Sequence, residues 1–88
     1  MEIHESAYYV RLTVVDKPGV MADVAAIFRD ENVSLESVLQ RGRDPGEVVS
    51  LVLTTHITLE SRMCMALQKI SELKLVVEPP LMIRIEQL

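Results

Sequence analysis

Asp16-Lys17-Pro18-Gly19-Val20 is the segment whose residue types could act together chemically. It follows an alternating apolar run and precedes a run with helical spacing. That places it in a loop and first helical turn, whose N–H groups have no partner within the helix and favour an anion such as a carboxylate. Gly19 lets a ligand approach the backbone closely, Pro18 sets the angle at which the chain enters the helix, and Asp16 can accept from an ammonium group. Together they suit a zwitterion, that is, a free amino acid. The same residues serve as a tight strand-to-helix turn with Asp16 assisting the cap, and composition alone favours that plainer use. Asp44-Pro45-Gly46 repeats the tripeptide with no helix behind it and is read as a turn between strands.

No other set of side chains forms a catalytic pattern. Ser34, Ser37, Ser50, Thr54 and Thr55 lack a base and an orienting partner, and the carboxylates are scattered without pairing. His4 and His56 have no Cys or carboxylate at ligand spacing, so no metal site is expected. The lone Cys64 excludes a disulfide framework and a cysteine-based metal cluster, and is read as a small core hydrophobe in a chain from a reducing compartment. A net charge of -4 argues against a nucleic-acid partner, which would select a basic stripe. An RNA binder of this size would also show paired aromatics on an open sheet face. An acyl phosphate hydrolase would need an arginine committed to an anion loop, and Arg11 lies in mid-strand. No stretch is long and apolar enough to cross a membrane, and the acidic start is unlike a signal peptide; the expected location is the cytoplasm.

The elements that must position the loop are legible from periodicity. Ala7 to Val15 alternate, with Tyr8, Val10, Leu12 and Val14 on one face of a strand. Val20, Val24, Ile27 and Phe28 then recur at helical spacing to about Glu31, and Asn32 tolerates the left-handed conformation that closes helices. Val33 to Arg41 is a second strand whose apolar phase slips between Leu35 and Val38, the mark of a bulge or of a strand covered on both faces. Gly42 to Gly46 is a hairpin connection, and Val48 to Thr55 a third strand with Val49, Leu51 and Leu53 inward. Thr58 is the expected N-cap of a second helix striped by Leu59, Met63, Ala66, Leu67, Ile70 and Leu73. Leu75 to Val77 is short and extended, and Leu81, Ile83 and Ile85 alternate in a last strand after Pro79-Pro80.

This order predicts an α+β, ferredoxin-like βαββαβ sandwich: a four-stranded antiparallel sheet with both helices on the face carrying Leu12, Leu51 and Ile83. Residues 1–6 are read as a linker from an upstream domain and 7–88 as the domain. With 88 residues, 49% hydrophobic and no tryptophan, the core must come from Val, Leu, Ile and Met, methionines included as filler, and such a chain often completes its core by oligomerising.

Tyr8 to Val14 followed by Asp16-Lys17-Pro18-Gly19-Val20 resembles the opening of an ACT domain. Ser34 to Gln40, Gly42 to Gly46, Val52 to His56 and Ile83-Arg84-Ile85 narrow the match to the C-terminal regulatory domain of homoserine dehydrogenases, over about Glu5 to Glu86. The resemblance implies a non-enzymatic regulatory fragment. The NAD(P)-dependent catalytic domains would lie upstream, and no cofactor would bind in this chain. It further implies a homodimer through the first helix and second strand, with an amino-acid effector between the Asp16, Lys17, Pro18, Gly19, Val20, Met21 and Ala22 loop of one chain and Ser37, Val38 and Gln40 of the other. Threonine is the implied effector, with methionine or isoleucine behind it. A purely structural dimerisation module would show the same core pattern and stays open.

Overall fold

Each apolar phase needs an opposing surface, and the central strand provides most of it. The computed structural model describes residues 5–41 and 47–85. Strand β1, Glu5–Val15, has Tyr8, Val10, Leu12 and Val14 fully buried along one face. Helix α1, Val20–Asp30, lays Val20, Val24 and Phe28 against that face. It closes at Asn32, φ 59°. The Asn32 N–H donates to the Arg29 carbonyl at 3.0 Å and the Val33 N–H to the Phe28 carbonyl at 2.8 Å. This is a Schellman closure, with Val33 and Phe28 both in the core, so Val33 ends the helix rather than beginning a strand.

Strands β2, Leu35–Arg41, and β3, Val48–Thr55, pair antiparallel, and β3 pairs antiparallel with β1. The expected phase slip is a bulge. Leu35 pairs with Thr55 and Ser37 with Thr54, which leaves Glu36 as the extra residue. The bulge keeps Leu35 and Val38 on the helix side despite their odd separation. A two-residue strand β4, Thr58–Leu59, pairs with Glu5 and Ser6, helix α2 runs Glu60–Ser71, and strand β5, Leu81–Ile85, pairs with Ala7 to Arg11. The four longer strands lie in the order β2-β3-β1-β5, all antiparallel, with the helices on one face. Residues 75–77 run beside the end of β1 through a Val14–Val76 bridge. The hairpin expected at Gly42 to Gly46 and the end of the last strand at Glu86 lie outside the described residues.

Four local expectations are corrected. Thr58 is not the N-cap of α2: it is a buried residue of β4, and Leu59 flanks the helix in extended backbone with no side-chain cap. The helix ends at Ser71, before Leu73, which packs on the core from the following turn. Cys64 is exposed, because the inward positions of α2 fall on Met63, Ala66 and Ile70. Ile83 does not face the helices. It pairs with Tyr9, and directly opposed residues share a face, so Leu81, Ile83 and Ile85 point to the open side while Met82 and Arg84 point to the helix side. Ile83 is accordingly 50% exposed. Of the methionines, Met63 is buried and Met21 and Met82 pack against the core, whereas Met65 is exposed.

One polar contact joins the two helices and another joins helix to sheet. Lys69 near the end of α2 is paired with Glu31 at the end of α1, and Arg84 Nη2 lies 3.4 Å from Glu60 Oε1, tying β5 to the first turn of α2. Both are exposed pairs and add little to stability. Beneath α2 the Tyr8 hydroxyl is buried without a hydrogen-bond partner among the described residues. Burial, then the nearby Glu60 carboxylate, raises the Tyr8 phenol above its ordinary value of 10.0, partly opposed by Arg84.

Leu51→Ala should therefore cost about 2–5 kcal/mol in urea unfolding, whereas Ile83→Ala should cost under about 1 kcal/mol. Equal losses would contradict the register of β5. Tyr8→Phe should be no less stable at neutral pH, since it removes a hydroxyl that is desolvated without compensation. The raised phenol contributes stability that is complete below pH 10 and is lost as pH rises, because the unfolded chain ionises first. Alkaline titration of stability should be flatter in Tyr8→Phe than in the parent; identical slopes would refute the assignment.

Candidate functional site

The loop between β1 and α1 is held at both ends by backbone bonds. The Asp16 N–H donates to the Glu47 carbonyl at 2.8 Å, the Lys17 N–H to the Val15 carbonyl at 2.9 Å, and the Val20 N–H to the Lys17 carbonyl at 3.3 Å. Gly19 is the N-cap, left-handed at φ 93°, ψ -18°, with no side chain capping the helix. Lys17, Pro18, Gly19 and Ala22 are exposed, Val20 is in the core, and Met21 packs against it.

The first turn can receive an anion, but with fewer donors than its sequence implies. The Val20 N–H is already engaged, which leaves those of Gly19, Met21 and Ala22 as the donors to offer. Asp23 occupies the same turn and supplies a negative charge of its own. A Cβ built on Gly19 would meet nothing within 4 Å, so the glycine is required by backbone conformation and not by crowding.

Ser37, Val38 and Gln40 do not converge with this loop inside one chain. Ser37 pairs through β3 with the Tyr9 row, whereas the loop follows Val15, six residues along β1, roughly 20 Å away. They do not share a face either. Val38 and Gln40 lie in register with Leu53 and Leu51 on the helix side, while Ser37 lies on the open side with its hydroxyl 2.5 Å from Thr54 Oγ1. All three are exposed on β2, which among the described residues is an edge strand paired with β3 alone. A site containing both groups requires a second chain.

Among the described residues no three His, Cys, Asp or Glu side chains are grouped to hold a metal ion. The dinucleotide of the implied upstream domain has no counterpart here. The sequence contains three glycines and no Gly-x-Gly-x-x-Gly run, and the described strands form no parallel βαβ crossover. These residues do not fit that group. No described helix is long and apolar enough to cross a membrane.

This architecture, an antiparallel split βαβ sheet with two helices on one face and an exposed loop before α1, is that of a ferredoxin-like α+β sandwich. The ACT domain model matches residues 8–63, and the chain belongs to the ACT domain family. It is 37% identical over its whole length to the homoserine dehydrogenase of Pseudomonas aeruginosa, of which it covers 20%. A solved homoserine dehydrogenase from Thiobacillus denitrificans superposes with TM-score 0.86 at 36% identity, over 94% of this chain and 18% of that one. The ACT domain of a GTP pyrophosphokinase from Chlorobium tepidum superposes at TM-score 0.70 and 11% identity over 93% of this chain and all of that one, a likeness of fold. The chain thus spans about a fifth of the length of the curated relatives it matches.

Gly19→Val should cost about 1–3 kcal/mol through the left-handed backbone alone, and Gly19→Asn distinctly less, because asparagine tolerates that region. Thermal unfolding of the two variants checks this; equal stability of Val and Asn would mean that φ at Gly19 relaxes.

Proposed function

We propose that this chain is the amino-acid-sensing regulatory domain of a homoserine dehydrogenase, paired with a second copy through α1 and β2, with threonine held at the seam. The observation that carries the pairing is the unfilled edge of β2. Among the described residues β2 is paired along one side only, by β3, and Val38 and Leu39 are 42% and 55% exposed. An antiparallel second β2 would satisfy that edge and continue the sheet. It would also bring one chain's β2 toward the other's Asp16–Ala22 loop.

In this reading the effector's carboxylate lies against the N–H groups of Gly19 and Met21, and Asp16 and Lys17 flank its charged groups. Pro18, Val20 and Ala22 shape the turn. Gln40 and Val38 of the second copy meet the effector's side chain from the helix side. Ser37, on the reverse face and bonded to Thr54, bears on the contact between strands more than on the ligand. The 37% identity to a homoserine dehydrogenase supports threonine, since such an enzyme makes its precursor; hydride transfer with NAD(P) belongs to domains outside this chain. One helix turn stabilises an anion by about 0.3–1 kcal/mol when exposed, so several N–H bonds and the cross-chain contact must act together.

A structural dimerisation module is the second reading, favoured by the engaged Val20 N–H and the Asp23 carboxylate in the same turn. Light scattering should give at least a dimer at micromolar concentration, and calorimetry should detect threonine in preference to methionine and isoleucine. Gln40→Ala should alter which amino acid binds and Ser37→Ala should not. A dimer that binds none of the three would leave the structural reading; a monomer would remove both.

A further inference from the structure

The open face of the sheet carries a second cationic feature that the loop site does not use. Arg11 pairs with Val52 across β1 and β3, and Arg41 pairs with Ser50 across β2 and β3. Both arginines therefore project to the side away from the helices, on either side of β3 and two residues out of step. Their Cα atoms are roughly 12 Å apart, a span that two arginine side chains can close. With Tyr9, Ser50 and Val52 they line one recess of about 210 Å³.

Three observations point to an anion there. Among the described residues neither guanidinium makes an ion pair, in a chain whose net charge is -4. Glu78, a carboxylate on the same side, accepts from the Thr13 hydroxyl at 3.3 Å and pairs with neither arginine. The Ser50 hydroxyl, a neutral donor, stands beside the two arginines in the same recess, with Leu39, Leu81 and Ile83 each about half exposed on that face. Two planar guanidinium forks, a serine hydroxyl and a tyrosine edge suit an oxyanion with several acceptor oxygens.

We propose that Arg11 and Arg41 form a binding site on the open sheet face for a small multivalent oxyanion, either a phosphate group or a dicarboxylate, separate from the amino-acid site at the α1 loop. The recess holds an anion of a few heavy atoms and is too small for a dinucleotide. The site lies within one chain, so it stands whether or not the effector reading of the loop holds. Arg11 and Arg41 are thirty positions apart in the sequence, and only the strand register brings them together.

The test is an amide-resolved NMR titration of the 88-residue chain with inorganic phosphate, with succinate, and with sodium chloride at matched ionic strength. Phosphate, succinate or both should give saturable shifts centred on Tyr9, Arg11, Arg41, Ser50 and Val52, and chloride should not; the tighter of the two identifies the chemistry. Arg11→Gln and Arg41→Gln should each weaken binding by roughly tenfold and the double variant should abolish it. Both side chains are exposed, and an unchanged thermal midpoint will show that the fold is intact. A threonine titration of the double variant should match the parent. Shifts no larger than those with chloride, or binding that survives the double substitution, would overturn the proposal.

Discussion

β1 has a hydrogen-bonding neighbour along both edges, and every other element takes its position from it. One edge is filled by β3 from Tyr9 to Val15. The other is shared by β4 at Glu5 and Ser6, β5 at Ala7 to Arg11, and residues 75–77 beside Thr13 to Val15. A strand buried this way cannot shift by one residue, since a slip would turn Tyr8, Val10, Leu12 and Val14 away from both helices. The loop before α1 inherits that constraint: it leaves from Val15, and Val20 is anchored in the core.

The sheet's two margins differ accordingly. β5 is the shorter edge and carries Leu81, Ile83 and Ile85 on the open face. β2 is the longer edge, and its bulge at Glu36 reverses the phase, so Val38 and Gln40 sit on the helix side and Ser37 on the other. A bulge in an edge strand commonly re-aims side chains. Here it separates the residues that could meet a ligand near α1 from those that meet a surface on the open face.

The open face is consequently more than the solvent side of a sandwich. It combines half-exposed aliphatics with two arginines that have no carboxylate to answer them among the described residues. The loop before α1 has a comparable character, presenting N–H donors beside an acidic residue of the same turn.

Much of this was legible from residue order. Tyr8 to Val14, the stripe Val20, Val24 and Phe28, the left-handed Asn32 and the phase slip in β2 are local signals, and local physics decides them: alternation in strands, a period of 3.6 in helices, and the tolerance of asparagine for positive φ. What alternation cannot say is which face is covered. Leu81, Ile83 and Ile85 look like a core face in isolation, yet pairing of Ile83 with Tyr9 assigns them to the open side. Thr58 likewise has the chemistry of a cap, but pairing with Ser6 draws it into a strand. The separation of Ser37 from Gln40 and the meeting of Arg11 with Arg41 depend on register between segments far apart in the chain. The sequence by itself determined the elements, the turn at Gly19 and the family to which they belong; only the tertiary structure decided which side chains share a surface, because that follows from long-range hydrogen-bond register and not from any local period.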